Sequence, residues 1–277
     1  MAEVLMRLPA AHPESVLLIT LDSCRYDTFS RSDLPVLKGI GPLHKALAPS
    51  YFTYGSHAAF WMGFTPGVIG SQRPWLNPKA GKLFRMAHAG SGGHGEDAFR
   101  LHGANVIEGF RSLGYRTIGT GAVAWFDAST PTGAVLSNAF DHFWYSGQTW
   151  NLPQQLQWLQ LQLDMARDQP VFVFLNVGET HVPYWHQGAD WDPWPSPCIP
   201  FGGRQCSRRT SQRRQRACLE WVDHQLAELV QAFSGSTILA CADHGDCWGE
   251  DGLWEHGVSH AATLTVPLLM RVRGQPI

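Results

Sequence analysis

The residue types best suited to metal chemistry follow an apolar run late in the chain. Residues 236–242 are mostly apolar, Asp243 and His244 come directly after them, and His256 lies a short way downstream. An adjacent carboxylate and imidazole suit zinc, manganese and similar divalent ions. The pair alone would equally fit a turn aspartate and a loop histidine, so a metal site needs further ligands from elsewhere in the chain.

Three upstream residues offer groups of the required kind. Asp22 and His181 lie just beyond two other apolar runs, and Thr53 precedes an apolar segment that we interpret as a helix. Ligands collect at the carboxyl ends of strands in open α/β sheets, and helix N-termini stabilise anions. Such a set suits metal-assisted ester chemistry, because a bound cation acidifies a hydroxyl and neutralises charge on a phosphoryl or sulfuryl group. A nearby histidine can protonate the leaving oxygen.

The elements that must position these residues alternate between strands and helices, which indicates βαβ units, a parallel sheet and an α/β fold. Asp22 or Ser23 is predicted to cap the helix after the first strand. Residues 67–102, rich in glycine, proline and histidine, are interpreted as a loop or a cover over the site. We predict strands at residues 16–21, 115–125, 171–177, 236–242 and 265–272, and helices at residues 23–29, 56–64, 105–113, 152–167 and 208–233.

Length and composition restrict the class of protein. A chain of 277 residues with 44% hydrophobic residues predicts one globular domain over residues 1–277. A net charge of -2 argues against nucleic acid or an anionic membrane as a partner. No apolar stretch reaches the length of about 18 residues that a membrane span needs, and no secretion signal is recognisable. We therefore expect a cytoplasmic location with mostly free cysteines, and the oligomeric state is left open.

Six segments, in this order, resemble motifs of the alkaline phosphatase superfamily, in its sulfatase-like branch. They are LITLDSCRYD, SYFTYGSHAAFWMGFTPG, SLGYRTIGTGAVAWF, NVGETHVPYW, LEWVDHQLAEL and ADHGDCWGEDGLWEHG. The resemblance implies a three-layer α/β/α sandwich with a mostly parallel central sheet. Because the chain is short for this branch, we expect it to lack the branch's usual C-terminal subdomain.

The resemblance also implies roles for individual residues. Thr53 is the nucleophile, and His181 and His256 are catalytic groups that face the substrate or hold a second metal ion. One or two divalent ions are expected, with zinc or manganese favoured and magnesium or calcium left open. The implied metal ligands are Asp22, Thr53, Asp243 and His244, and the substrate-binding residues are Arg25, Ser56 and His57.

Departures from the sulfatase pattern guide the choice of substrate. Sulfatases place a cysteine where this chain has Thr53 and an aspartate where it has Ser23, and the segment GAVAWF lacks their lysine. The chain instead resembles the threonine-dependent phosphodiesterases, phosphonate hydrolases and phosphoethanolamine or glycerophosphate transferases. We predict a metal-dependent hydrolase of a small anionic phosphodiester, monoester or phosphonate ester that forms a covalent Thr53 intermediate. The alternatives are transfer to an acceptor other than water, and a catalytically silent binding protein.

Two groups of residues have no firm role in these motifs. The first is a basic run that could attract an anionic substrate or nucleic acid, although a solvated helix start is the simpler interpretation. The second could contribute to a second metal site. The basic run contains Arg204, Arg208, Arg209, Arg213, Arg214 and Arg216, and the second group contains Glu179, His186, Asp223 and His224.

Overall fold

The computed structural model describes residues 8, 10–63, 105–166 and 168–277 of the chain. The predicted loop or cover at residues 67–102 lies outside the described residues.

The described chain forms ten strands, eight of which build one sheet. Within that sheet the order is β10-β9-β6-β1-β5-β3-β4, with β2 paired to β9, while β7 and β8 form a separate hairpin. In chain order the strands are β1 (Val16–Leu21), β2 (His44–Leu47), β3 (Arg116–Gly121), β4 (His142–Tyr145), β5 (Val171–Val177), β6 (Thr237–Ala242), β7 (Cys247–Trp248), β8 (Trp254–Glu255), β9 (Thr265–Val272) and β10 (Gln275–Pro276).

Five neighbouring strands form the parallel centre of the sheet, namely β6, β1, β5, β3 and β4. The remaining members, β2, β9 and β10, pair antiparallel at one side. Every residue of β5 is buried. A strand buried on both faces requires cover on both sides of the sheet. This arrangement agrees with the predicted α/β sandwich and its mostly parallel sheet.

Nine α-helices accompany the sheet in the described residues, and short 3₁₀ helices occur at Ala124–Phe126 and Glu250–Gly252. None of the helices in these parts of the chain combines the length and apolarity needed to cross a lipid bilayer. The α-helices are α1 (Tyr26–Arg31), α2 (Pro35–Lys38), α3 (Thr53–Met62), α4 (Val106–Ser112), α5 (Pro131–Ser137), α6 (Leu152–Asp164), α7 (Arg208–Gln225), α8 (Ala227–Ala232) and α9 (Ala261–Leu264).

Several element boundaries differ from the sequence predictions. The strand predicted at residues 115–125 ends at Gly121, because the chain turns there and packs Phe126 against that glycine, where an added Cβ would lie 2.3 Å from the ring. The helix predicted at residues 208–233 breaks at Leu226 into α7 and α8. The sequence predictions also omitted β2 and β4, which are only four residues long and lack an extended apolar run.

The predicted helix cap at Asp22 or Ser23 is wrong. Helix α1 begins at Tyr26, and its N-cap residue is Arg25, without a side-chain cap. Ser23 instead adopts a left-handed backbone conformation with a φ of 59°. That turn leaves Asp22 free of any capping role and directs the chain from β1 into α1. The helix predicted at residues 56–64 is α3, which begins three residues earlier, at Thr53, and ends at Met62 before Gly63 in a left-handed conformation.

Candidate active site

The carboxyl ends of three parallel strands bring the predicted ligands together. In the register of the sheet, Leu21 at the end of β1 lies opposite Val177 of β5 and Ala242 of β6. The residues that follow these strands therefore emerge at one edge. There the Ser23 backbone N–H donates to Asp243 Oδ1 at 3.2 Å, which joins the turn after β1 to the turn after β6.

Thr53 lies at the centre of this edge, as the first residue of α3. Its Oγ1 is 3.4 Å from both carboxylate oxygens of Asp22 and 3.3 Å from His244 Nε2. The Nε2 atom of His244 is 3.7 Å from Asp22 Oδ1 and 3.6 Å from Asp243 Oδ2. All four side chains are fully buried. The structure thus brings the four predicted metal ligands together.

The hydrogen bonding of His244 fixes which ring nitrogen faces the cluster. Its Nδ1 lies 3.0 Å from the Gly245 carbonyl oxygen, which can only accept, so Nδ1 carries the proton. Nε2 consequently presents a lone pair to Thr53 and the carboxylates. Burial, with the neighbouring His256, lowers the pKa of His244 to about 3 and keeps the ring neutral. A neutral imidazole is the form that binds metal ions.

Glycine follows His244 for a steric reason. A Cβ atom at Gly245 would lie 2.4 Å from the Ala262 carbonyl oxygen. The Gly245 N–H donates to the Thr263 carbonyl oxygen at 2.8 Å, so the turn after β6 is tied closely to α9. This close approach holds the His244 ring against the end of the sheet.

The electrostatics of the cluster fit a divalent cation. Asp243 Oδ2 is buried and has no hydrogen-bond partner among the described residues. Burial and the adjacent Asp22 carboxylate raise the pKa of Asp243 well above its usual value. Two buried carboxylates side by side are unfavourable unless a cation compensates their charge. Ligand atoms of Asp22, Asp243 and His244 lie within 4.8 Å of one another, as a shared ion requires.

Residues that the sequence patterns did not single out orient Asp22. Asn176 Nδ2 donates to Asp22 Oδ2 at 3.3 Å, and Thr180 Oγ1 donates to the Asp22 carbonyl oxygen at 2.7 Å. Gln215 of α7 donates to the carbonyl oxygens of Ser23 and Thr180 at 2.9 and 3.2 Å. Asn176 carried one visible signal, since it is the polar interruption in the apolar run of β5.

The second histidine group is built around Asp246, which sequence reasoning also missed. His256 Nδ1 lies 2.8 Å from Asp246 Oδ1, and the Tyr184 hydroxyl donates to Asp246 Oδ2 at 2.6 Å. The Trp248 indole N–H in turn donates to the Tyr184 oxygen at 2.8 Å. The signal available in the sequence was the position of this aspartate, between the ligand pair and His256 in one motif.

This network sets the charge of His256. Burial opposes the charged ring, but the hydrogen bond and charge of Asp246 outweigh it and raise the pKa of His256 to about 9. The His256 ring centroid lies 4.6 Å from that of His244 and 5.1 Å from that of His181. His181 Nδ1 lies 2.7 Å from the Val182 carbonyl oxygen. This contact leaves the other ring nitrogen, Nε2, available. Ligand atoms of His244, Asp246 and His256 also lie within 4.8 Å of one another.

Arg25, which was predicted to bind substrate, makes its contacts with other parts of the protein. The guanidinium is buried and forms two hydrogen bonds to the Asp27 carboxylate, at 2.8 and 2.9 Å. It also donates to Glu250 Oε1 and to the Asp246 carbonyl oxygen, each at 2.9 Å, and stacks over Trp248 at 4.3 Å. Arg25 therefore clamps the 246–250 segment onto the start of α1, and these contacts occupy most of its donors.

Ser56 and His57, also predicted to bind substrate, are buried and contact the elements around Thr53. Ser56 Oγ donates to the Asp243 carbonyl oxygen at 2.6 Å, which joins α3 to the end of β6. His57 Nδ1 lies 2.8 Å from the Thr53 carbonyl oxygen, and its ring packs in T-shaped contact with Phe126 and other core aromatics. Burial lowers the pKa of His57 to about 4. Both side chains thus hold α3, and with it Thr53, in place against the end of the sheet.

The four residues considered for a second metal site have other contacts. Glu179 is buried and accepts the Leu152 N–H at the start of α6. Asp223 accepts the backbone N–H groups of Val36 and Leu37 at the start of α2. The structure leaves the remaining two away from the cluster: His186 stacks on Trp221, and His224 is exposed on α7.

Comparison with known proteins identifies the fold. No protein-family model and no curated protein matches the chain. Among solved structures, the C-terminal periplasmic domain of phosphoethanolamine transferase EptC from Campylobacter jejuni has a TM-score of 0.61 and 12% identity, over 94% of this chain and 80% of that one. The zinc complex of the EptC periplasmic domain from Escherichia coli has a TM-score of 0.60 and 14% identity, over 98% and 78%.

A third solved structure names the superfamily directly. An alkaline phosphatase superfamily protein from Vibrio parahaemolyticus has a TM-score of 0.54 and 13% identity, over 97% of this chain and 63% of that one. The chain therefore has an alkaline phosphatase-like fold, as the ordered motifs predicted. At these identities the likeness concerns the fold, and activity has to be argued from the site.

The predicted cytoplasmic location is wrong by the same comparison. Both EptC structures are periplasmic domains of phosphoethanolamine transferases. The prediction depended on the lack of a long apolar stretch and of a recognisable secretion signal. Neither feature reports where a folded domain resides, whereas the structural neighbours point away from the cytoplasm.

Proposed function

We propose that this protein is a metal-dependent enzyme that acts on a phosphoryl-type ester through a covalent intermediate on Thr53. The observation that carries the proposal is the position of Thr53 Oγ1, within 3.4 Å of the Asp22 carboxylate and 3.3 Å of His244 Nε2. Its place as the first residue of α3 adds the partial positive charge of a helix N-terminus. A buried threonine hydroxyl in such surroundings is suited to act as a nucleophile.

Asp22, Thr53, Asp243 and His244 would hold one divalent ion, and zinc or manganese suits this mixture of carboxylate, hydroxyl and imidazole ligands. When bound, the ion would lower the pKa of a hydroxyl and offset negative charge on the phosphoryl oxygens. Zinc is the first choice, since the EptC domain from Escherichia coli is known as a zinc complex.

The residues around Thr53 suggest how protons move in the first step. The Thr53 hydroxyl proton passes to the Asp22 carboxylate, Oγ1 bonds to phosphorus, and the bond from phosphorus to the leaving oxygen breaks. His256, which carries a proton because Asp246 raises its pKa to about 9, donates that proton to the leaving oxygen. His181 lies beside His256 and would orient the leaving group. Alternatively, His181 and His256 face a second metal ion instead of the leaving oxygen.

The second step releases the phosphoryl group from Thr53. In the hydrolase that we propose first, water attacks the phosphorus and gives a proton to His256, which lost its own in the first step. The bond from phosphorus to Thr53 Oγ1 breaks, and Asp22 returns the proton to Oγ1. The substrate would be a small anionic phosphodiester, monoester or phosphonate ester, without nucleic acid as a partner. Transfer to another hydroxyl or amine acceptor is the second candidate, because the EptC proteins that share this fold are phosphoethanolamine transferases.

The test uses the zinc- or manganese-loaded protein with aryl phosphodiesters, monoesters and phosphonates. We expect turnover by the wild type and a loss of about 10³-fold or more in kcat for Thr53→Ala, since the covalent step is removed. Thr132→Ala, at a buried threonine of α5, serves as the matched control and should retain activity. Intact-mass analysis of a rapidly quenched reaction should show a phosphoryl adduct that Thr53→Ala lacks.

Two measurements separate the candidate functions. Product analysis with added alcohols or amines distinguishes hydrolysis from transfer, because a transferase yields the acceptor ester in preference to free phosphate. Metal content tests the silent alternative. A folded protein that binds less than one divalent ion per chain after supplementation, and turns over no ester, would refute an enzymatic role.

A further inference from the structure

The structure divides the basic run of residues 204–216 into separate groups. Arg208 points to Glu250, with 3.6 Å between their charged atoms. Arg214 packs over Trp191 at 5.9 Å and donates to the Pro193 carbonyl oxygen at 3.3 Å. These arginines serve the fold. Arg209, Arg213 and Arg216 of α7 face α1 across a groove. The basic run is therefore more than a solvated start of a helix.

Three arginines of α7 line one groove. Arg209, Arg213 and Arg216 are spaced four and then three residues apart, which places them on one face of the helix. Across the groove stands Arg31, in the last turn of α1. The groove has a volume of about 390 Å³ and is also lined by Asp27 and Thr28. This volume is within the range of about 300 to 1,000 Å³ that is usual for small-molecule sites.

The charges in the groove are unbalanced. Asp27 is the one carboxylate among its lining residues, and both Asp27 oxygens already accept from Arg25. Arg216 pairs with Glu220 at 2.8 Å, outside the groove. Arg209 and Arg213 have no ion-pair partner in the parts of the chain that the structure describes. Guanidinium groups crowded in this way repel one another and concentrate anions.

The hydroxyl of Thr28 is a second, independent observation. Thr28 lines the groove and is only 2% exposed, and its Oγ1 has no hydrogen-bond partner among the described residues. Buried hydroxyls are rarely left unpaired in folded proteins. A ligand oxygen, or a water molecule beneath the ligand, would satisfy this hydroxyl.

We infer that this groove is a binding site for an anion that carries two neighbouring phosphate groups. Guanidinium groups bind phosphate oxygens through paired hydrogen bonds, and two arginine faces across a groove fit two phosphates better than one. The site is distinct from the Thr53 cluster, and it does not rest on the proposed ester chemistry. Its ligand can be a free diphosphate or a lipid headgroup with the same phosphate chemistry.

Calorimetric titration of the metal-loaded protein with inorganic pyrophosphate tests the free form of the ligand. We expect pyrophosphate to bind more tightly than orthophosphate, and added salt to weaken binding. The double variant Arg209→Gln/Arg213→Gln should bind at least about tenfold more weakly, since it removes two charge-assisted contacts. The matched control, Arg204→Gln/Arg273→Gln, makes the same change of charge at exposed positions outside the groove and should bind normally.

Two further arms complete the design. Asp243→Asn disables the metal cluster, so retained pyrophosphate binding in this variant assigns the anion to the groove. Cosedimentation with vesicles that contain diacylglycerol pyrophosphate, whose headgroup carries two linked phosphates, tests the lipid-borne source. Vesicle binding that depends on Arg209 and Arg213, without pyrophosphate binding, would assign the groove to a headgroup.

Three outcomes would overturn the inference. They are the absence of binding to both probes, an equal loss in the control double variant, and a loss in Asp243→Asn alone. Single variants Arg31→Gln and Arg213→Gln, checked by their melting temperatures, keep the test valid if the double variant is unstable.

Discussion

Glu179 provides a stability prediction that can be worked from the structure. The side chain is fully buried, its Oε1 accepts the Leu152 N–H at 2.9 Å, and its Oε2 has no hydrogen-bond partner among the described residues. Burial outweighs the backbone hydrogen bonds and raises the pKa of Glu179 from 4.5 to about 7. The folded protein therefore holds this proton more tightly than the unfolded chain does.

The sign of the pH dependence follows directly. A carboxyl group with a raised folded-state pKa contributes most stability below its unfolded value of 4.5, and the contribution is lost as the pH rises toward about 7. The difference between a pKa of 4.5 and one of about 7 corresponds to about 3 kcal/mol in the free energy of unfolding. Glu179→Gln keeps an oxygen acceptor for Leu152 and cannot ionise. We expect this variant to be more stable than the wild type by about 2–3 kcal/mol at pH 8, and nearly equal at pH 4.5.

Urea unfolding of the wild type and Glu179→Gln, at several pH values and with a chelator present, measures the difference in their free energies of unfolding. The contributions of all other titrating groups are the same in both proteins and cancel in this difference. Glu228→Gln, on α8, makes the same chemical change elsewhere and serves as the control. A gain for Glu179→Gln that is independent of pH, or that is largest at pH 4.5, would refute the assignment of Glu179 as a buried, neutral acid near pH 5.

Three further predictions concern the clamp, the sheet and the ligands. Arg25→Ala should lower the free energy of unfolding by about 2–3 kcal/mol, because it leaves the partly exposed carboxylates of Asp27 and Glu250 unpaired. Exposed Arg273→Ala is the control, and an equal loss in both would contradict the clamp. Gly121→Ala should lower the free energy of unfolding, measured with urea, by about 1–3 kcal/mol, because the new Cβ would clash with the Phe126 ring. An unchanged urea midpoint would show that the ring moves aside without cost. Asp243→Asn should abolish stoichiometric metal binding by elemental analysis yet raise the melting temperature of the metal-free protein, because one buried carboxylate is neutralised. A lower melting temperature in the chelated variant would count against that repulsion.

Much of the fold was readable from short-range sequence patterns. Apolar runs at residues 16–21 and 171–177 became strands with the predicted limits, because a strand buried on both faces must be apolar at nearly every position. Strand ends marked by Asp22 and Asp243 likewise predicted where polar groups would gather. The short strands β2 and β4 could not be predicted, since pairing with longer neighbours stabilises them more than their own composition does.

The sequence alone determined which residue types were available at the site, and tertiary packing decided what each one faces. His57 and Arg25 lie in the same motifs as the ligands, but α3 buries His57 among aromatic rings. Asp27 of α1 and Glu250 pair with the Arg25 guanidinium. The sequence shows Asp246 between the ligand pair and His256, but only the fold places its carboxylate against the His256 ring. Side-chain direction and long-range partners depend on contacts between residues far apart in the chain, which local spacing does not encode.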